Sequence, residues 1–440
     1  PGGDSRLLQA RIVNYGTIEQ PDGKWLRNYY GVIDNRPGGV YRMSGGGIEQ
    51  NNIYAWPDDS GWFENAGTLS KEGDEKFTLH MALTNSGQVS VTGGALLLNL
   101  TSSAQVVTHT GAFAVAAPGI LELGSYEHRF GPSSAISGDG IWRMSNGARA
   151  VVGGAYILSG LTDLIGGAAL YLDTTGGAVS LPVIQMGGST RLGGSSAITV
   201  TQALTMSNAL LVNGSNGVSD TVNIAPGATL WVQDSGLSGR TLNNHGAVTL
   251  ASGGQFWMEH GAVFNNHPTG VFTVTQGDMR PQYEWSDCVL NNAGRIVKLD
   301  PGDFKKWYNI SLNNTGSIEV WDGGFFADGP FRQTAGEVFL NGGTLRNTTE
   351  NLVFNGGRLR GNGAISLVNN LRLENNGAIL QPTGILMVDR GYSQGAGGAL
   401  QIDIGGLAPG AGYGVLQVAG DAALDGRLIL SPTNGFQPAA

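Results

Sequence analysis

The side chains that could do chemistry are few and dispersed. The densest carboxylate set is Asp58, Asp59, Glu64, Glu72, Asp74 and Glu75, with Lys71 and Lys76 among them. Enzymes that cut polysaccharides on repetitive β folds need carboxylates gathered with Arg or Lys on one exposed face. A stretch of mixed charge reads instead as a solvated loop. A related set, Asp300, Asp303, Lys305 and Lys306, follows about 230 residues later, and a surface loop is freer to be duplicated than a unique catalytic centre. His245, His260 and His267 are close in sequence, and the first and last are 22 residues apart. That pair falls short of the three or four ligands of a zinc site. No nucleophile elbow, phosphate loop or dinucleotide fingerprint stands in a fitting context. The residues therefore point to no catalytic group, no metal and no cofactor.

Aromatic residues are the richer feature. Trp25, Tyr29, Tyr30, Tyr54, Trp56 and Trp62 crowd one segment, and Tyr283, Trp285, Trp307, Tyr308, Trp321, Phe325 and Phe326 crowd another. Large rings stack on sugar faces or anchor protein interfaces; the alternative is that they plug a core. Trp is bulky for a narrow coil, and several of these residues fall in loops. Trp56, Trp62, Tyr283, Trp285, Trp307, Tyr308 and Trp321 are accordingly the candidate binding or interface residues.

The elements that must position them are short. The chain has 440 residues with 72 Gly, 41% hydrophobic and only 13% charged residues. Gly is about twice as frequent, and charge about half as frequent, as in an ordinary globular domain. Apolar side chains are still abundant enough for a core. Apolar alternation lasts three to five positions before Gly or Asn intervenes, which is a pattern of short strands and turns, not of helices. The net charge of −9 and pI near 5.1 argue against nucleic acid, whose phosphates need concentrated positive charge. No apolar run is long enough to span a bilayer. Cys288 is the single cysteine, so no disulfide forms within the chain, and its expected role is that of a small buried hydrophobe. The chain opens on Pro1-Gly2-Gly3 and stops in mid-pattern, the expectation for a piece of a longer exported protein.

Periodicity sets the fold. Leu242-Asn243-Asn244-His245-Gly246 recurs as Leu290-Asn291-Asn292-Ala293-Gly294 and as Leu312-Asn313-Asn314-Thr315-Gly316, with a variant at Phe264-Asn265-Asn266-His267. From Asn243 through Asn265 and Asn291 to Asn313 the spacings are 22, 26 and 22 residues, the period of a β-helix coil. Equivalent positions of successive coils stack about 4.8 Å apart. Asn243, Asn265, Asn291 and Asn313 are therefore expected to form an amide ladder, with the Asn and the following Gly supplying the left-handed backbone of a tight corner. The expected fold is a single-stranded, right-handed parallel β-helix, all-β, with coils of about 20–26 residues. Handedness follows from the general β-crossover preference. About 20 coils would make a rod of roughly 95 Å.

Phe63-Glu64-Asn65-Ala66-Gly67 matches Leu290 onward, and Leu83-Thr84-Asn85-Ser86-Gly87 matches Leu312 onward, at an offset near 230. Residues 1–100 and 241–345 thus read as two copies of one block. Residues 101–240 read as a Gly/Ser-rich solenoid block and 346–440 as a C-terminal solenoid region, all one continuous rod.

Residues 111–123, 136–140 and 239–274, together with 392–406 (Tyr392-Ser393-Gln394-Gly395 onward) and 416–426, resemble the Gly/Asn-rich β-helical surface proteins of bacteria, the haemagglutinin-type and autotransporter-passenger adhesins. The resemblance implies a secreted, cell-surface location and roles ranging from adhesin to filament or matrix component. The expected function is non-catalytic: a structural component of a surface filament, sheath or matrix, and/or an adhesin. The alternatives are a monomeric glycan-binding adhesin and a polysaccharide lyase or hydrolase. The expected partners are further copies of the chain, end to end or side by side, and a glycan or a host or cell-surface protein, with no nucleic acid and no membrane insertion.

Overall fold

A computed structural model describes residues 5–8, 10–50, 61–100, 106–214, 220–281 and 287–437. These residues are all-β, without helix, and fold as parallel stacked coils, a β-solenoid of about 17 turns. The turns are fewer than the 20 expected because coil length varies. Adjacent rungs of the asparagine column lie 20 to 30 residues apart in the N-terminal half. The chain divides into two compact units, Pro1–Val222 and Asn223–Ala440.

Most turns consist of three short strands, hence three faces. In the first unit one turn runs through Ala82–Asn85, Gln88–Val91 and Ala95–Asn99. In the second, one runs through Cys288–Asn292, Arg295–Lys298 and Phe304–Lys306. We name these faces one, two and three in that order. Every strand of this turn pairs in parallel with its counterpart one coil away, as Leu290 does with Leu312 and Ile296 with Ile318. A four-residue strand with period two points two side chains inward, which is why the apolar bursts are so short.

The inward side chains form the core, and many are aromatic. Phe113, Phe130, Trp142 and Tyr156 contact one another at 5.3–6.3 Å between ring centroids in the first unit. Phe264, Phe272, Phe304 and Phe325 do so at 5.1–6.3 Å in the second. Phe325 is thus a core plug. Cys288 is free and buried.

The corner after face one differs from expectation in its backbone. Gly67, Gly87, Gly294 and Gly316, and the asparagines before them, do not have positive φ. Glycine is required there by close approach. A Cβ at Gly316 would lie 2.1 Å from the Gly294 carbonyl oxygen, and one at Gly87 would lie 2.2 Å from that of Gly67. Successive corners nest so tightly that only hydrogen fits between them.

Candidate functional site: amide ladders, buried lysines and an aromatic groove

Asn243, Asn265, Asn291 and Asn313 stack as an outer ladder. Asn265 donates to Asn243 at 2.9 Å, Asn291 to Asn265 at 2.9 Å and Asn313 to Asn291 at 2.8 Å. Asn243 in turn donates to Asn223 at 2.9 Å.

A second ladder lies inside. Asn244, Asn266, Asn292 and Asn314 are buried. Each donates to the next, at 2.8, 2.7 and 2.6 Å, and Asn314 donates to Gln333. The other amide hydrogen of Asn244, Asn266 and Asn292 goes to a backbone carbonyl of the following coil: Val271, Arg295 or Ser317. Both donors are used, so the amide orientation is fixed, and the inner ladder donates in the opposite sense to the outer one. The first unit has an equivalent inner run, Asn14 to Asn35, Asn65 and Asn85, at 2.8, 2.7 and 2.7 Å. Its outer positions are Asp34, Glu64 and Thr84, and Arg11 bridges Asp34 and Glu64 at 2.5 and 2.6 Å.

After Asn85 the first unit's column continues as His109 and Phe130. His109 Nε2 lies 3.1 Å from His128 Nδ1, both rings buried. Burial lowers His109 to a pKa of about 3 and takes His128 well below its ordinary value. His245 and His267 are stacked face to face, 4.0 Å apart and 11° from parallel. Parallel rings direct their nitrogens side by side and cannot converge on one ion.

Lys71 and Lys306 correct the expectation of solvated loops, because both are fully buried, and Lys298 is buried in the same way. Each ends a strand at an inward position and neutralises corner carbonyls. Lys71 donates to Glu72, Gly73 and Gly93 oxygens at 2.6, 2.9 and 3.1 Å. Lys298 donates to the Asp300 carboxylate at 2.5 Å and to the carbonyls of Asp300 and Asp322. Lys306 donates to Ile310 O at 2.6 Å and to the carbonyls of Trp307 and Asp328. Burial lowers Lys306 to about 7. Asp58 and Asp59 lie outside the described residues.

The aromatic candidates separate. Trp56, Tyr283 and Trp285 lie outside the described residues. Trp62 is half-buried against Ala82, Leu100, Val107 and Tyr126. Trp321, at the corner after face two, is 41% exposed. It meets Phe339 edge-on and donates its indole N–H to Glu319 at 3.2 Å, so its polar end is already satisfied.

Trp307 and Tyr308 are brought together. They are 39% and 47% exposed, on the turn between Phe304–Lys306 and Ile310–Asn314. Stacked coils add Asp303, Lys305, Phe326, Asp328, Arg346, Thr348 and Thr349 to form a groove of about 430 Å³. Its parts are held in place. Asp328 accepts from the backbone N–H and hydroxyl of Thr348 at 2.7 and 2.9 Å. Thr349 accepts from the Gly329 N–H at 2.6 Å. The guanidinium of Arg346 lies 4.8 Å over the Phe326 ring, and the Lys305 ammonium 5.9 Å from it. Buried Asn347 accepts from the N–H groups of Thr349 and Glu350, both at 3.0 Å, and donates to Ala327 and Gly329 oxygens. Lys306 fastens the groove from beneath.

Asp328, Arg346, Thr348 and Thr349 are absent from the sequence candidates, and Asp303 and Lys305 stand there only as part of a surface loop. Asp328 and Thr348 follow Trp307 by about one and two coil lengths, and that spacing is the one signal that could have found them. The described residues also include a more polar hollow of about 340 Å³ along Asp34, Arg36, Glu64, Thr84 and Thr108, without an aromatic ring. Among family models, curated proteins and solved structures, none matches this chain.

Proposed function

We propose that the chain is a non-catalytic, extracellular β-solenoid that acts as a surface adhesin, with the Trp307–Tyr308 groove as its glycan-binding site. The observation that carries this reading is the groove itself: two adjacent, exposed aromatic rings beside carboxylates, hydroxyls and a guanidinium on stacked coils. An apolar face with a few convergent polar groups is the general form of a small-molecule site, and rings with polar neighbours suit sugars in particular. The low charge of the chain and its resemblance to bacterial β-helical surface proteins support the location.

A structural filament or sheath is the second reading, favoured by the low share of charged residues, 13%, which leaves little repulsion between copies of the chain.

The test is the Trp307→Ala/Tyr308→Ala double variant, with glycan-array binding and light scattering measured on the same samples. The adhesin reading expects binding to be lost while particle size stays that of the parent protein. Loss of assembly with no effect on any ligand would favour the structural reading.

A further inference from the structure

The balance of charge in the groove, not only its rings, bears on what it takes. Asp303 and Asp328 supply two negative charges, and Lys305 and Arg346 two positive ones. An anionic ligand would gain from the second pair and lose to the first. A hydroxyl-rich neutral ligand uses all four, because a hydroxyl donates to a carboxylate and accepts from a cation.

The groups are also posed for this role. Asp328 is held through one carboxylate oxygen by Thr348. Arg346 is flattened on Phe326, and no ion pair ties up its charge among the described residues. Trp307 and Tyr308 bring two partly exposed rings to the groove, and aromatic rings pack on the C–H face of a sugar. Such preorganisation lowers the ordering cost of binding.

We infer that the groove formed by Asp303, Lys305, Trp307, Tyr308, Asp328 and Arg346 selects a neutral hexopyranose-containing glycan over a uronate-bearing one. The inference rests on the adhesin reading and names its ligand class. Trp307 and Tyr308 carry the stacking, Asp328 accepts from sugar hydroxyls, and Arg346 donates to them. Asp303 and Lys305 add opposite charges to the lining.

The experiment is calorimetric titration of the intact chain with neutral hexasaccharides of gluco, manno and galacto configuration and with oligogalacturonate of the same length. Asp328→Asn is the informative variant. It keeps an oxygen for the Thr348 N–H, so the corner stays folded, while weakening acceptance from hydroxyls. The expected result is that at least one neutral sugar binds about tenfold or more tighter than oligogalacturonate, with a similar loss in Asp328→Asn at unchanged melting temperature. Oligogalacturonate binding as well as or better than every neutral sugar would overturn the selectivity and leave the adhesin reading standing. Tight binding indifferent to Asp328→Asn and to Trp307→Ala would place the ligand elsewhere and overturn the inference. No binding by any saccharide would remove both.

Discussion

Replacing one inner asparagine should cost far more than replacing its immediate outer neighbour. Asn292→Ala removes three hydrogen bonds: donation to Asn314 at 2.6 Å, donation to Ser317 O at 3.0 Å and acceptance from Asn266 at 2.7 Å. The site is 1% exposed, so no water replaces them. Each neutral hydrogen bond contributes about 1 kcal/mol net, and a buried acceptor left empty costs about 1–3 kcal/mol more. Together they put Asn292→Ala at about 4–6 kcal/mol. Asn291→Ala also breaks two ladder bonds, at 2.9 and 2.8 Å, but the side chain is only half-buried and water can take over. Its cost should stay near 0.5–1 kcal/mol. A stacked-coil protein opens locally, so a single global unfolding energy is the wrong readout. Hydrogen exchange of the coils spanning residues 288–320 is the right one. The gap of about 4 kcal/mol corresponds to a roughly thousandfold difference in the local opening constant. Equal protection in the two variants would refute the assignment of stability to the inner ladder.

Lys298→Met strands the carbonyls of Asp300 and Asp322; hydrogen bonds to charged groups are stronger than neutral ones, and a loss of about 2–4 kcal/mol is expected, read as faster hydrogen exchange in the two adjoining coils. Gly316→Ala drives a methyl against the Gly294 carbonyl and should cost about 1–3 kcal/mol, as overpacking does, with faster exchange in both adjoining coils. The His109–His128 pair makes the first unit sensitive to acid. Their folded pKa values lie below the ordinary 6.5, with His109 at about 3. The stability they contribute is complete above 6.5 and is lost as pH falls toward 3. For His109 alone the loss between pH 6.5 and pH 4 is about 3 kcal/mol. Denaturation midpoints against pH should show this decline, and His109→Asn should flatten it.

The repeat made the fold legible. A stacked solenoid returns the same corner at nearly fixed intervals, and the Asn-x-Gly corners carry that interval openly. Which asparagine faces inward was also written in the chain, in the alternation that begins at Leu242 and makes Asn244, not Asn243, share its side. The same parity puts Lys71 and Lys298 inside, against the usual equation of lysine with solvent. The glycine corners misled because glycine is used in two ways, for positive φ and for close approach, and composition does not separate them. The groove was half legible. Trp307 and Tyr308 stand out as aromatics, whereas Asp328, Arg346 and Thr348 look like ordinary turn and strand residues. Only coil stacking brings them to one place.

The structure of the chain in complex with a neutral oligosaccharide is the most direct test of the central claim. The account predicts sugar rings against Trp307 and Tyr308, with hydroxyls bonded to Asp328 and Arg346. A saccharide bound on another face, with this groove empty, would contradict it.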